Sequence, residues 1–448
     1  MKYIFSLGLL VLYLCSDLLA QDTLATVEVP FRFQQNVLQT SFLHQDTKDH
    51  LLFIHEKKRF FLASFDDGLN LTRNLVVEKP KRDLYLASVR AIINLPDTLF
   101  LYTQINKTAR GHVLLTIDKA TQNMKRESLN FQEKPKDKLI QFVIHNGKMI
   151  RWYVNPQEKV LRICVLEKSR LIQHQTFPFK DFRTLALLSK AAQRREIFAN
   201  ISHQSAGRPD DFARKKKIYT FPDRIILTLE DSAEGKTYLL NLSTETWTLT
   251  QQTFRYPKFL LETSYQNMNS TLRGPYLYQV IVNRQGLTLA QQEVASQTLI
   301  QQQTFVDDAA VKAYFGGIYR QTYGKFNRKK VAHPVLLRTL PFSIYVYFLE
   351  NQRGDLRLQV GSYEPRVKDN FLTQTFTYGE GVFDETTMKI AVLAQKLPPT
   401  QKEKVYEYVQ EPRNEIPKGS QAVHVFSWRG KAVIGYGNQR KYYLVAFE

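Results

Sequence analysis

Short apolar runs recur along most of the chain, and they predict its fold. Most of them are stretches of Val, Ile, Leu, Tyr and Phe separated by turns rich in Asp, Asn, Gly and Ser, as is typical of β-strands. Between Lys138 and Phe177 four such runs follow one another, and the first turn contains Asn146-Gly147. Because both residues tolerate the positive φ of a type I′ turn, this stretch predicts a four-stranded antiparallel meander.

The end of this meander recurs along the chain. Similar phrases, among them LIQHQTF, TLTQQTF and LIQQQTF, end at Phe131, Phe177, Phe254, Phe305 and Phe376. The strand before them recurs as well, as LLTIDKAT and LLNLSTET. The phenylalanines are about 46, 77, 51 and 71 residues apart. Two of these spacings fit one four-stranded unit, and the other two fit a unit that carries an insertion.

Repeated four-stranded meanders of this length resemble the blades of a β-propeller. The resemblance is to the fold alone, because the sequence has neither a WD dipeptide nor a kelch or Asp-box pattern. It implies an all-β chain of four-stranded antiparallel blades, about seven by length, with six or eight as alternatives. The strand-like stretches ATVEVPFRF and KYYLVAFE, near the two ends, are expected to share one blade.

The N-terminal apolar run, residues 3–14, has the length of a signal-peptide core and is too short to span a bilayer. Ala20 supplies the small residue that signal peptidase requires, so we expect residues 1–20 to be removed and residues 21–448 to form a single, secreted propeller domain. The alternative is a lipoprotein anchored through Cys15, although the residues before it are bulky. Cleavage would leave Cys164 as the only thiol, which excludes an intramolecular disulfide.

The chain has a formal net charge of +20, which indicates a partner with negative charge. About +11 of this charge lies in the two insertions, at about 178–224 and 306–341. Each insertion runs from a helix-like stretch through a polar linker to Phe-x-Arg-Lys-Lys and then proline. In the second insertion, Asp307 is placed to cap the helix and Gly316 to end it.

Because both insertions follow the last strand of a blade, we expect them on one propeller face, where they would form a basic ligand surface. The candidate ligand-binding residues are Arg214, Lys215, Lys216, Lys217, Tyr319, Arg320, Tyr323, Arg328, Lys329 and Lys330. Phe212 and Phe326 are expected to join the two tyrosines in offering flat faces to sugar rings or bases. The alternative is that these charges only solvate exposed loops.

Patterns for catalysis and metal binding are weak. The spacing of His44, His50 and His55 fits no metal-binding face, and Cys164 lies mid-strand among apolar neighbours, so no metal or cofactor is expected. Adjacent acidic pairs such as Asp66-Asp67 are typical of turns and helix caps, because adjacent residues rarely converge on one bond.

The sequence therefore favours a secreted, noncatalytic β-propeller that binds acidic polysaccharide or an acidic protein surface. We expect no specific binding of nucleic acid, no transmembrane segment in the mature chain, and a monomer. The alternative is a propeller-fold hydrolase or lyase that acts on acidic polysaccharide, with carboxylates of different blades meeting in a central funnel.

Overall fold

The computed structural model describes most of the chain, namely residues 22–33, 37–43, 50–56, 58–79, 86–95, 97–105, 112–129, 134, 136–167, 170–179, 181–194, 196, 198–202, 209–257, 267–283, 286–322, 325–330, 342–350, 356–368, 371–393, 421–428 and 431–447. Several predictions made from the sequence fall outside these ranges. They concern the signal peptide with Cys15, and the positions of His44, Phe131 and Tyr323.

The chain divides into two compact units, and the first comprises residues 1–130 and 399–448. Its strands are β1 (Asp22–Glu28), β2 (Val37–Leu43), β3 (His50–Glu56), β4 (Arg59–Phe65), β5 (Leu71–Glu78), β6 (Leu86–Asn94), β7 (Thr98–Ile105), β8 (His112–Asp118), β9 (Met124–Ser128), β29 (Gln421–Trp428), β30 (Lys431–Asn438) and β31 (Lys441–Phe447). They form three sheets with the orders β2-β3-β4-β5, β6-β7-β8-β9 and β1-β31-β30-β29. The pairing of β1 with β31 confirms that the two ends share a blade.

The second unit comprises residues 131–398. Its strands are β10 (Lys138–His145), β11 (Lys148–Asn155), β12 (Val160–Glu167), β13 (Arg170–Pro178), β14 (Ala199–Ser202), β15 (Lys216–Thr220), β16 (Arg224–Asp231), β17 (Lys236–Ser243), β18 (Leu249–Arg255), β19 (Asn267–Arg273), β20 (Tyr276–Asn283), β21 (Gly286–Glu293), β22 (Leu299–Phe305), β23 (Tyr319–Thr322), β24 (Lys325–Lys330), β25 (Ser343–Glu350), β26 (Leu356–Lys368), β27 (Phe371–Asp384) and β28 (Lys389–Leu393). Its helices are α1 (Phe182–Arg194), α2 (Pro209–Phe212) and α3 (Asp308–Phe315).

Four sheets make up this unit, with the orders β10-β11-β12-β13, β14-β15-β16-β17-β18, β19-β20-β21-β22 and β24-β23-β27-β26-β25, the last also carrying β28 on β27. Over the described ranges the chain thus has seven sheets, each built around an antiparallel meander, which confirms the all-β propeller class and the seven blades. The middle strands are buried on both faces, whereas the last strand β13 is mostly half-buried or exposed, as expected for a blade's outer edge.

The recurring phenylalanines lie in the last strand of three blades, but in a fourth blade the phenylalanine lies in an earlier strand. Phe177, Phe254 and Phe305 lie in β13, β18 and β22, the last strands of their sheets. Phe376 lies in β27, which β28 follows, so the prediction is wrong there. The reason is that β26 and β27 are 13 and 14 residues long, so that β27 pairs with β23 near its start and with β28 near its end.

The helices of the two insertions are parts of the core. Leu188 of α1 lies in a cluster that joins the sheets β10–β13 and β15–β18, and Val311 of α3 lies in one that joins β19–β22 and β25–β28. Helices α1 and α3 both start at an aspartate: Asp181 accepts a hydrogen bond from the backbone N–H of Thr184 at 3.1 Å, and Asp307 from that of Ala310 at 2.7 Å. Asp307 and the left-handed C-cap Gly316 (φ 70°) are as predicted.

Candidate functional site

After helix α1, residues of the first insertion contact the first strands of three consecutive meanders. β14 pairs in parallel with β15, and α2 packs against β25, with the Phe212 ring centroid 4.9 Å from that of Tyr347. The carbonyl of Phe212 accepts a hydrogen bond from Asn269 Nδ2 on β19 at 3.0 Å. Strands β15, β19 and β25 are the first strands of their antiparallel meanders, so β14 and α2 contact three successive blades at their first strands.

Asn269 is the centre of the hydrogen bonds that connect the first strands of these three meanders. Besides Phe212, its Nδ2 group donates to the carbonyl of Ile344 at 2.6 Å, which joins β19 to β25. Its Oδ1 atom accepts from Lys217 Nζ at 2.5 Å, which joins β19 to β15. Thr271 repeats the link to β25 by donating to the carbonyl of Val346 at 2.7 Å. Polar side chains of β19 thus fasten three blades together.

Lys217 was predicted to bind ligand from an exposed loop, and in this respect the structure corrects the sequence. Strand β15 begins within the basic run, so Lys217 lies in this strand and not in a loop. Its side chain is 0% exposed. Burial lowers the pKa of the amine to about 8, against the opposing effect of the Glu230 charge. A buried amine held by Asn269 cannot contact a ligand at the surface.

Glu230 is the carboxylate of this network. Its Oε2 atom accepts hydrogen bonds from Tyr256 at 2.5 Å and from Thr237 at 2.9 Å, and its Oε1 atom accepts from Ser270. Burial raises the pKa of Tyr256 well above its ordinary value, and the charge of the Glu230 carboxylate adds to this effect. All four side chains are buried, so the group stabilises the packing of β16 against β19 and is closed to substrates of glycan size.

The other cations of the first run are at or near the surface but engaged. Arg214 is half-buried, and Lys215 is exposed and donates from Nζ to Ser232 at 2.7 Å. Lys216 forms an ion pair with Glu196, which lies just beyond α1. The contacts of Lys215 and Lys216 therefore hold the basic run against residues of its own insertion and blade.

The second run lies in a β-hairpin and not in a loop. β23 pairs with β27 on one side and with β24 on the other, and its register places Lys330 opposite Tyr319 and Lys329 opposite Arg320. Arg328 shares β24 with these two lysines. Tyr323 lies outside the described residues, and for the residues of β24 only the backbone is described.

One described aromatic residue of each insertion, Phe212 and Tyr319, lies inside the protein. Phe212 and Tyr319 belong to one buried cluster of the second unit and are each 7% exposed. Tyr319 lies against Tyr378, with ring centroids 6.2 Å apart. The expectation that these two rings offer open faces for stacking is therefore wrong, because the insertions use them to pack against the blades. Arg320, the next residue along β23, is exposed.

One further row of reactive side chains crosses a single sheet. The register places Cys164 between Arg151 and His174, so the three occupy one face of the β10–β13 sheet. A cysteine beside a histidine is the pair that thiol nucleophiles use. Cys164 is buried, however, as the sequence suggested. Among the described residues, no group of three or more His, Cys, Asp or Glu is arranged to hold a metal ion.

The sequence reasoning missed Asn269 and Glu230. Asn269 lies in the polar run NMNST, which has no apolar alternation to predict a strand, and Glu230 ends an apolar run as if at a turn. For Lys217 a signal was available: the apolar residues Ile-Tyr directly after it could have indicated that the strand already begins within the basic run.

Comparison with known proteins adds little to this description. No protein-family model matches the chain, and no curated protein matches it. Among solved structures it is similar to the WD40 domain of SCAP from fission yeast, at 9% identity and a TM-score of 0.37, over 96% of this chain and 97% of that one. It is also similar to the Dos1 propeller, at 7% identity and a TM-score of 0.33, over 95% of each chain. At such scores the propeller assignment depends on the strand order itself. Within the described ranges no helix is long and apolar enough to cross a membrane.

Proposed function

We propose that this protein is a secreted, noncatalytic β-propeller that binds an acidic ligand through the hairpin β23–β24. The supporting observation is the charge of this hairpin. From Tyr319 to Lys330 the chain has five cations and no carboxylate. Arg320 is half exposed, and the carboxylate paired with it, Glu364, is 3.9 Å away, which is beyond hydrogen-bonding distance.

This proposal narrows the candidate surface from two basic runs to one. The run 214–217 is engaged with Ser232, Glu196 and Asn269, so a ligand would have to compete with those contacts. The hairpin adds a strand at the end of the described sheet order and has five cations and no carboxylate of its own, a charge that attracts a polyanion. We therefore favour the residues of β24, together with Arg320, as the ligand surface.

The test is binding of the purified protein to heparin and to polygalacturonate, with product formation measured in the same samples. We expect binding that weakens steeply with salt, because exposed charges are screened over about 8 Å at physiological ionic strength. Replacing Arg328, Lys329 and Lys330 with Ala should lower affinity roughly tenfold, about 1.4 kcal/mol, and leave the melting temperature unchanged.

The matched control replaces three exposed lysines outside the hairpin, Lys136, Lys138 and Lys159, with Ala. It removes the same charge, so equal losses of affinity in both variants would contradict a localised site. Release of shortened polygalacturonate would contradict the noncatalytic proposal. Secretion is tested by the intact mass of exported protein, which should begin near Gln21; a lipid adduct on Cys15 would overturn it.

A further inference from the structure

Among the described strands, β24 is the last in the order of its sheet. In the order β24-β23-β27-β26-β25 it has a described partner on one side only, β23. Alternate N–H and C=O groups of an edge strand point away from the sheet, and they can pair with another extended chain. The sequence of this edge is Lys-Phe-Asn-Arg-Lys-Lys, residues 325–330.

The charge of β24 selects which strand can be added. Proteins often place lysine on edge strands to prevent pairing with a copy of themselves, because like charges directly opposite each other are unfavourable. A second copy of β24 would bring four more cations to the four already present. An acidic strand would instead place carboxylates opposite the cations, so the same charge that excludes self-pairing favours an acidic partner.

We propose that β24 binds an extended acidic segment of a partner protein, which adds to the sheet as a further strand. This inference depends on the proposed function and narrows it from acidic ligands in general to a protein segment. Backbone pairing would supply affinity, and the cross-strand charges would supply specificity and direction. A polysaccharide has no amide groups with which to form such a ladder.

The experiment uses the full chain and three labelled probes in fluorescence anisotropy. The first is a peptide of alternating Glu and Val, the second is the same peptide N-methylated at every residue, and the third is heparin. N-methylation leaves the charge intact and removes the N–H donors from both edges of the strand. We expect the unmethylated peptide to bind at least tenfold more tightly than the methylated one.

A charge exchange supplies the second readout. Replacing Arg328, Lys329 and Lys330 with Glu should abolish binding of the Glu-Val peptide and create binding of a Lys-Val peptide. The control makes the same replacement at Lys136, Lys138 and Lys159, and it should keep the original preference. A folded charge-exchanged variant that retains the Glu-Val peptide would overturn the inference.

The outcomes separate this inference from the proposed function. Equal affinity for the two Glu-Val peptides, or binding of heparin alone, would mean that only charge is recognised, which refutes strand addition and leaves acidic-ligand binding intact. Failure of all three probes to bind would refute both.

Discussion

Acid should destabilise the first unit through the buried histidine His55. Its side chain is 0% exposed in β3, its Nε2 atom lies 3.1 Å from Lys79 Nζ, and its ring centroid is 5.1 Å from that of Phe60. Burial in this apolar setting, with a smaller effect of the Lys79 charge, lowers the pKa of the imidazole from 6.5 to about 3. The folded protein therefore holds His55 neutral at every pH above about 3.

The magnitude follows from linkage. Above pH 6.5 the imidazole is neutral in both the folded and the unfolded chain, and its contribution to stability is fully present. As the pH falls, the unfolded chain takes up a proton that the folded chain rejects, so the free energy of unfolding decreases. With pKa values of 6.5 and about 3, the loss is about 2 kcal/mol at pH 5 and about 3 kcal/mol at pH 4.

The perturbation that isolates this effect is His55→Gln, which keeps an acceptor for Lys79 but cannot titrate. Urea unfolding followed by circular dichroism should show that the wild type loses about 2 kcal/mol more than the variant between pH 7.5 and pH 5. Phe53 packs in the buried apolar cluster that includes Phe60, the ring next to His55. Phe53→Leu lowers stability without removing a titratable group, so it should keep the wild-type dependence on pH. If His55→Gln keeps that dependence too, the imidazole is not the acid-sensitive group.

Three further predictions concern the second unit. Cys164 is 2% exposed and should react with a thiol reagent only after unfolding, as followed by absorbance; immediate reaction of the native protein would contradict its burial. The lowered pKa of Lys217, about 8 against 10.5, means that stability rises by about 2 kcal/mol from pH 7.5 to 9.5, and Lys217→Met should remove this rise in urea melts. Asp307→Ala should cost about 1 kcal/mol and lower the melting temperature, whereas Asp307→Asn should restore most of it, because Asn also caps.

The fold could be predicted from the sequence wherever its determinants are local. Asn146 and Gly147 have φ values of 46° and 71°, as the hairpin signal required, and the cap at Asp307 is set by residues within one turn. The length of β27 could not be predicted, because its pairing with β23 depends on residues more than 50 positions earlier in the chain. The repeated phrase at Phe376 therefore predicts only the last strand of an ordinary four-stranded blade.

The candidate site was harder to predict, because a basic run does not reveal which of its cations lie inside. In strand β15, Lys217 and Tyr219 share a face through the period of two, and both are buried. The hydrogen-bond partner of the buried amine, Asn269, is 52 positions away in the chain. An expectation based on charge alone therefore assigned Lys217 to the same ligand surface as Lys329.

The position of Glu230 bears on the enzyme alternative. A propeller hydrolase would need an inner carboxylate that can take up or release a proton next to a sugar. Tyr256, Thr237 and Ser270 instead donate hydrogen bonds to the two oxygens of Glu230. Catalysis there would require these hydroxyls to release the carboxylate, at the cost of buried polar groups losing their partners. Strand addition at β24, as proposed above, requires no such change, because β24 is the last described strand in the order of its sheet.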